Sequence, residues 1–427
     1  MTRTLLHRIR AVLASAAFLV AGACADSLDN IISVDPFDRV SEEVLFNDPN
    51  QAALLVTSVQ AQFECALGSY ALATGLLGGE INSLGNTQFF SLDRRTPDPA
   101  GGFNGLYGVN DCGTGVGIGT YVPMSSARWF ADKVLEALEG WTDAQVTNRT
   151  ALIATAAAYS GYGLVHLGEG FCSMALDGGP EMTPAQVFAR AEERFTLAIT
   201  AAQAAGGATG TDILNMARVG RARARINLNR GQDAVADATT VPAAYVKNAT
   251  RTLGTALREN VLFVFINRIV SAGLAPAYFN VTWNGKPDPR VPSVDMGLTT
   301  TNVARYTQTK YASEAASIPI ATGAEAQLII AEVQGGQQAV DIINALHAAY
   351  GLDPFAGGSA QEIRDQVIEE RRRQFFIDGH RNYDRIRFNL PLDPPTGSEY
   401  RWGGLHGDAK CLPLPDVERL NNPNFPH

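Results

Sequence analysis

The stretch Thr183-Pro184-Ala185-Gln186-Val187-Phe188 opens the segment whose reading decides the fold. Thr183 stands at a helix N-cap, Pro184 at the first helical position, and Gln186 where its side chain can close a capping box. Phe188, Ala191, Phe195, Ala198 and Ala202 then recur at alternating spacings of three and four, the signature of one buried helical face. Gly206-Gly207 ends that helix. Thr211 is placed to cap a second helix, whose inner face of Leu214, Ala217, Arg221, Ala224 and Leu228 is mostly small and lets a neighbouring helix approach closely. Arg230-Gly231-Gln232 forms the turn into a third helix, which begins with Ala234, Val235 and Ala238.

The same pattern recurs at 151–167 (Leu152, Ala156, Tyr159, Gly163, His166) and at 324–350 (Leu328, Ala331, Val340, Ile343, His347, Tyr350). Paired helices with small residues at their crossings and glycine turns between them predict a mainly α fold of tetratricopeptide-like hairpins with little β. Residues 51–80 are Ala/Leu-rich and helical. Two stretches interrupt the helical array. Residues 82–123 combine Gly, Asn, Pro and Asp with Phe89, Phe90, Phe103 and Tyr107, which predicts a long structured loop. Residues 240–322 are rich in Pro and Thr and read as loops and short strands inserted between helical pairs.

With 46% hydrophobic and 18% charged residues over 427 positions, the chain has an ordinary globular balance, which argues against wholesale disorder, collagen and a polytopic membrane protein. Its 43 acids outnumber its 34 bases, and no long basic run supplies the face that nucleic-acid phosphates require. Small ligands and protein partners remain. Arg3, Arg8 and Arg10 precede an apolar run at 11–21 that is too short to span a bilayer, the pattern of a secretory signal. The run closes on Ala21-Gly22-Ala23-Cys24, which resembles the lipobox of bacterial lipoproteins. That resemblance implies a signal peptide at 1–23, a diacylated Cys24 at the head of a polar, acidic tether over 24–50, and one helical domain at 51–427. Acyl chains contribute about 0.8 kcal/mol per buried methylene, so several of them anchor stably. No later segment reaches the ~20 consecutive apolar residues of a membrane span, and attachment therefore rests on Cys24.

Sites for chemistry are sparse. Gly113, Gly115, Gly117 and Gly119 alternate as in a phosphate cradle, but no strand signal precedes them and no Lys-Ser/Thr follows, so they read as a mobile loop. The histidines and cysteines form no metal-ligand spacing, and His166 and His347 read as satisfied helix-face histidines. No cofactor is implied. The adjacent carboxylates Glu192-Glu193 and Glu369-Glu370 point about 100° apart on a helix and cannot flank one glycosidic bond, so they read as solvated helix surface. With no nucleophile elbow either, the chain reads as a non-enzyme. Cys65, Cys112, Cys172 and Cys411 allow three pairings; a bridge between Cys65 and Cys112 would tether the long N-terminal loop and leave Cys172 for Cys411.

Residues 362–373 balance four acids against four bases, with Glu369 and Arg373 at a salt-bridging spacing, and read as a structural helix pinned by ion pairs. The continuation runs Glu370-Arg371-Arg372-Arg373-Gln374-Phe375-Phe376-Ile377-Asp378-Gly379-His380-Arg381-Asn382-Tyr383-Asp384-Arg385-Ile386-Arg387. It resembles the C-terminal signature of the SusD/RagB family of nutrient-binding outer-membrane lipoproteins, with Glu370, Arg371, Gly379, Arg381, Asp384 and Arg387 matching and Gln374, Asp378 and Arg385 departing. Residues 324–333 and 342–346, and the closing Leu412-Pro413-Leu414-Pro415 with Glu418 and Asn422-Pro423, follow in the family's order. Arg381 and Asp384 read as a buried ion pair between C-terminal segments.

The resemblance implies a helical scaffold with a loop-rich ligand face. It also implies a cell-surface place on the outer membrane and a TonB-dependent SusC-like barrel as partner, to which a captured oligosaccharide or peptide is passed. The alternative is a helical-repeat lipoprotein that serves as an assembly or adhesion scaffold without a small ligand. Sugars stack their C–H faces on aromatic rings while amides and charges bind their hydroxyls. Tyr278, Phe279, Asn280, Trp283, Asn284 and Lys286 supply that combination in non-helical sequence, and the family's use of its N-terminal loop adds Phe89, Phe90 and Tyr107 as a second wall.

Overall fold

A run of buried side chains along almost the whole of Ala52–Leu77 (α1) makes this helix a spine rather than a surface element. The computed structural model describes residues 46–100 and 119–425, and every element named here lies in the unit Pro49–His427. Next come α2 (Tyr121–Gly140), α3 (Arg149–Gly170), α4 (Pro184–Ala205), α5 (Gly207–Asn227) and α6 (Gly231–Ala238). After the mixed region follow α7 (Gly323–Gln334), α8 (Gly336–Ala349), α9 (Ala360–Gln374), α10 (Arg381–Arg387) and α11 (Asp416–Asn421). Sequential neighbours pack in pairs from α2 to α6; α6 packs on α7, and α7, α8 and α9 pack on one another. The fold is mainly α, built from helical hairpins.

Local chemistry explains the boundaries. Thr183 and Gln186 form the reciprocal capping box at the start of α4, and Ser359 and Glu362 do the same for α9. The second helix of the central pair departs from expectation. It starts at Gly207, directly after Gly206 at φ 63°, and the Thr211 hydroxyl donates back to the Gly207 carbonyl instead of capping. Its buried face is also shifted, running through Ile213, Met216, Ala217, Gly220 and Ala224, with Leu214 and Leu228 only half-buried. Small residues do set the helix spacing. A Cβ at Gly161 on α3 would lie 2.7 Å from the Phe195 ring and one at Gly220 on α5 2.3 Å from it, so the ring of α4 fits between its two neighbours only because both positions are glycine.

The strands are short and paired in twos, all antiparallel: β1 (Ile81–Ser83) with β5 (Ala272–Leu274), β2 (Met174–Ala175) with β3 (Glu181–Met182), β4 (Val246–Ala249) with β10 (Ile318–Thr322), β6 (Thr282–Trp283) with β7 (Lys286–Pro287), and β8 (Ser293–Leu298) with β9 (Ala304–Gln308). The β1–β5 ladder ties the N-terminal loop region to the second insertion. Cys172, just past α3, is bonded to Cys411 in the C-terminal segment. Cys65 on α1 is also disulfide-bonded, while its expected partner Cys112 lies outside the described residues. So do the signal segment, Cys24, Phe103, Tyr107 and Gly113, Gly115 and Gly117. Among the described residues, no helix is long and apolar enough to cross a membrane.

Candidate functional site

The inner face of helix α9 changes character along its length: Ile363 and Val367 join an apolar cluster, and Glu370, Arg371 and Arg373 then bury charge. Glu370 is fully buried and accepts hydrogen bonds from Arg290, from Gln366 (2.7 Å) and from His347 Nε2 (2.8 Å). Arg290 also forks onto Asp288, whose carboxylate takes a further bond from Arg373 at 3.0 Å. Burial alone would raise the Glu370 carboxyl; the His347 and Arg290 contacts outweigh it and hold the group below its ordinary range. The solvated-surface reading of Glu369-Glu370 therefore needs correction. Glu369 accepts from Arg372 and Arg373 near the surface, the latter being the expected pair at 2.7 Å, whereas the 100° turn to the next residue carries Glu370 inward among cations.

A second cluster joins α9 to α10. Asp384 accepts two bonds from Arg371, at 2.9 and 2.8 Å, and one from Arg387 at 3.2 Å, while Arg387 also forks onto Glu332 of α7. Here the correction concerns the partner: the ion pair is buried, but it is made with Arg371 rather than Arg381. A third cluster places Arg223 of α5 in a two-pronged bond to Glu169 of α3 and in contact with His380. His166 donates to the Tyr162 carbonyl at 2.7 Å, and burial followed by the nearby Arg223 pushes it down to about 3. These clusters fix helices to one another through buried carboxylates that are already paired with arginines.

Two stacked aromatic pairs lie outside the helical hairpins. Phe279 stacks on Tyr306 with ring centroids 3.8 Å apart, and Phe90 stacks on Trp402 at 5.8 Å with Tyr400 edge-on at 5.7 Å. One ring of each pair, Phe279 and Trp402, lines a cleft of about 360 Å³, where they are joined by Asn82, Glu399, Tyr400 and Arg401. At its base Asp93 accepts from the Ser83 N–H (2.9 Å) and the Tyr400 hydroxyl (2.8 Å), and burial pushes its carboxyl up to about 6. Trp402 also donates its indole N–H to the Ser83 carbonyl at 3.3 Å, so the ring is held from two sides.

The other expected residues separate into different places. Trp283 is half-buried, donating its indole N–H to the Asp353 carbonyl at 2.7 Å with His347 edge-on at 4.7 Å; Lys286 pairs with the Asp353 carboxylate. Asn284 is exposed in the β6–β7 turn, and the exposed Asn280 donates to the Tyr306 hydroxyl at 3.1 Å. Tyr278 is 1% exposed, stacked on Phe376 beneath Arg372, and Phe89 is buried against Phe265. Burial removes those two rings from any ligand-facing wall. Phe90 packs on Trp402 and Tyr400 without lining the cleft, and Tyr107 lies outside the described residues. Sequence reasoning missed Tyr400 and Trp402. Their signal is an aromatic–Arg–aromatic triplet set between Gly397 and Gly403-Gly404, all at positive φ, which is a displayed turn rather than a core segment.

Residues 321–412 match the model of the SusD family. No curated protein matches the chain. Among solved structures, a SusD superfamily protein from Bacteroides vulgatus ATCC 8482 is similar at TM-score 0.66 and 15% identity, over 90% of this chain and 99% of that one. A SusD-like carbohydrate binding protein from the same organism gives 0.63 and 14%, over 89% and 97%. Another, from Bacteroides fragilis NCTC 9343, gives 0.65 and 14%, over 89% and 99%. The SusD/RagB resemblance read from the C-terminal signature thus stands: the family's model falls on that region, and the chain has the SusD superfamily fold.

Proposed function

We propose that this protein is a non-catalytic, lipid-anchored nutrient-binding protein of the SusD type. It captures an oligosaccharide in the Phe279–Trp402 cleft and passes it to a TonB-dependent SusC-like barrel in the outer membrane. The observation that carries this reading is the cleft itself. Two rings, each backed by a second aromatic, stand ready for sugar faces beside amide, carboxylate and guanidinium groups suited to hydroxyls. Rings already held in place lose little freedom when a ligand stacks on them. Solved carbohydrate-binding relatives of the same fold support the ligand class.

Tryptophan fluorescence during glycan titration tests the site. Trp402→Ala is expected to weaken binding by about tenfold or more, the loss of roughly 1.4 kcal/mol of stacking. Trp283→Ala should leave affinity unchanged, because that indole is spent on Asp353 and His347. The reverse pattern would move the site to the 278–286 loop. Anchoring is tested separately: Cys24→Ala should release the protein in soluble form. Retention in membranes of cells lacking the partner barrel would count against the lipid anchor.

A further inference from the structure

One wall of the Phe279–Trp402 cleft is fastened by different chemistry at its two ends. Residues 397–406 double back on themselves: the Gly397 N–H donates to the His406 carbonyl at 2.8 Å, and the His406 N–H to the Ser398 carbonyl at 2.9 Å. At the base of this turn the Gly407 N–H donates to the Arg94 carbonyl at 2.8 Å, and Arg95 donates to the carbonyls of Gly407, Asp393 and Pro394. Peptide groups and guanidinium ions do not titrate near neutral pH, so the base stays docked. The tip depends on Asp93. The Tyr400 hydroxyl donates to Asp93 Oδ2 at 2.8 Å, and the Ser83 N–H donates to the same oxygen at 2.9 Å. The Ser83 carbonyl in turn accepts from the Trp402 indole at 3.3 Å. Asp93 therefore holds Tyr400 directly and Trp402 through Ser83, while Arg94 adds one bond to the Gly403 carbonyl at 3.2 Å.

Among these fastenings the carboxylate is the one whose strength changes with pH. The titratable and charged groups around it are Tyr400 and His406 from the turn and Arg95 from its own segment, with Arg94 and Asp393 behind them and Glu399 and Arg401 on the cleft lining. Burial and then Asp93 itself raise the Tyr400 hydroxyl, so it stays a donor. His406, edge-on to Tyr400 at 5.1 Å, is lowered by burial and by Arg95 and Arg94. Burial pushes Asp93 up to about 6, with the Ser83 and Tyr400 bonds and then Arg95 pulling the other way. Because those two donors favour the charged form, ionisation strengthens both bonds in return. Hydrogen bonds to an ionised acceptor are roughly twice as strong as neutral ones. We propose that Asp93 is a positioning residue that latches the Tyr400–Trp402 wall onto β1 when ionised and loosens it when protonated, so that the cleft holds its ligand more weakly in acid. The ligand half of this inference rests on the cleft being the binding site; the latch itself does not.

The test therefore begins without ligand. In the full mature chain the Trp402 indole N–H resonance, assigned by its loss in Trp402→Phe, is followed from pH 5 to pH 8. It should shift with a single midpoint at about 6. Asp93→Asn, which keeps a neutral acceptor, should hold the resonance near its acid position throughout. Tyr400→Phe removes a donor to the charged form and should move the midpoint upward. A wild-type resonance that stays constant overturns the proposal, and so does an Asp93→Asn protein that titrates like the wild type, since His406 would then be the group responsible. Cellohexaose, xylohexaose and laminarihexaose are next titrated at pH 5 and pH 7.5. Any that binds should do so about fivefold more weakly at pH 5, and Asp93→Asn should show the weaker affinity at both values. Equal wild-type affinity at the two values overturns the proposal. Binding of none of the three counts against the cleft as a glycan site, and the resonance then decides the latch alone.

Discussion

Asp384→Ala should lower the free energy of unfolding by about 3–5 kcal/mol, the typical result of removing one partner from a buried ion pair. The magnitude follows from what is left behind. Arg371 and Arg387 both point at Asp384 from buried positions, and only Arg387 keeps a two-pronged alternative in Glu332. Arg371 would retain one carboxylate at 4.0 Å. The pH dependence gives a second check. Burial would raise the Asp384 carboxyl, but Arg371 and then Arg387 overcome it and hold the group well below its ordinary range. A group depressed in the folded state stabilises above its unfolded value of about 3.9 and loses that contribution as pH falls toward the folded value. The gap between wild type and Asp384→Ala should therefore be full at neutral pH and shrink in acid. Thermal unfolding at several pH values measures both. Weakened glycan binding at unchanged stability would instead make Asp384 a ligand residue.

Much of the scaffold was legible because helix signals are local. Thr183, Pro184 and Gln186 occupy adjacent cap positions, and Phe188, Ala191 and Phe195 repeat on one face, so a short window contains the whole argument. The charged helix α9 shows where such reasoning stops. Periodicity places Glu369 and Glu370 on different faces, but which face turns inward depended on Arg290 and His347, which lie 80 and 23 positions away from Glu370. Arg371 was likewise hidden behind the nearer Arg381 as the partner of Asp384. The candidate site was less legible than the scaffold for the same reason. Phe90 and Trp402 are more than three hundred residues apart and stack only because the N-terminal loop and the 397–406 turn meet, held by the Asp93–Tyr400 and Trp402–Ser83 bonds. Local composition marked Tyr278 and the family resemblance marked Phe89 as ligand rings, whereas the fold used both as core.

Glu80→Gln should stabilise the protein at pH 8 and leave it nearly unchanged at pH 4, the opposite sign to the Asp384 change. Glu80 follows α1 and is fully buried, with Oε1 accepting from the Ile377 N–H at 2.9 Å and Oε2 without a partner. Burial pushes its carboxyl up to about 7, a rise that the Ile377 bond and Arg381 only partly offset; Asp378 adds to it and Lys310 opposes it. A carboxyl raised in the folded state keeps its proton there when the unfolded chain has already lost it. Its contribution is therefore fully present below about 4.5, the unfolded value, and is lost as pH rises toward 7. At pH 8 the folded state carries a buried carboxylate at a cost of roughly 3 kcal/mol, which is what a rise from 4.5 to about 7 amounts to at 1.36 kcal/mol for each tenfold in proton affinity. Glutamine keeps the Oε1 acceptor for Ile377 and puts an uncharged amide where the protonated hydroxyl would be. Denaturant unfolding of both proteins at pH 4 and pH 8 measures the difference. A Glu80→Gln protein that is equally stable or weaker at pH 8 would mean that Arg381 and Lys310 already carry the charge, and that Glu80 belongs with the ion-paired clusters.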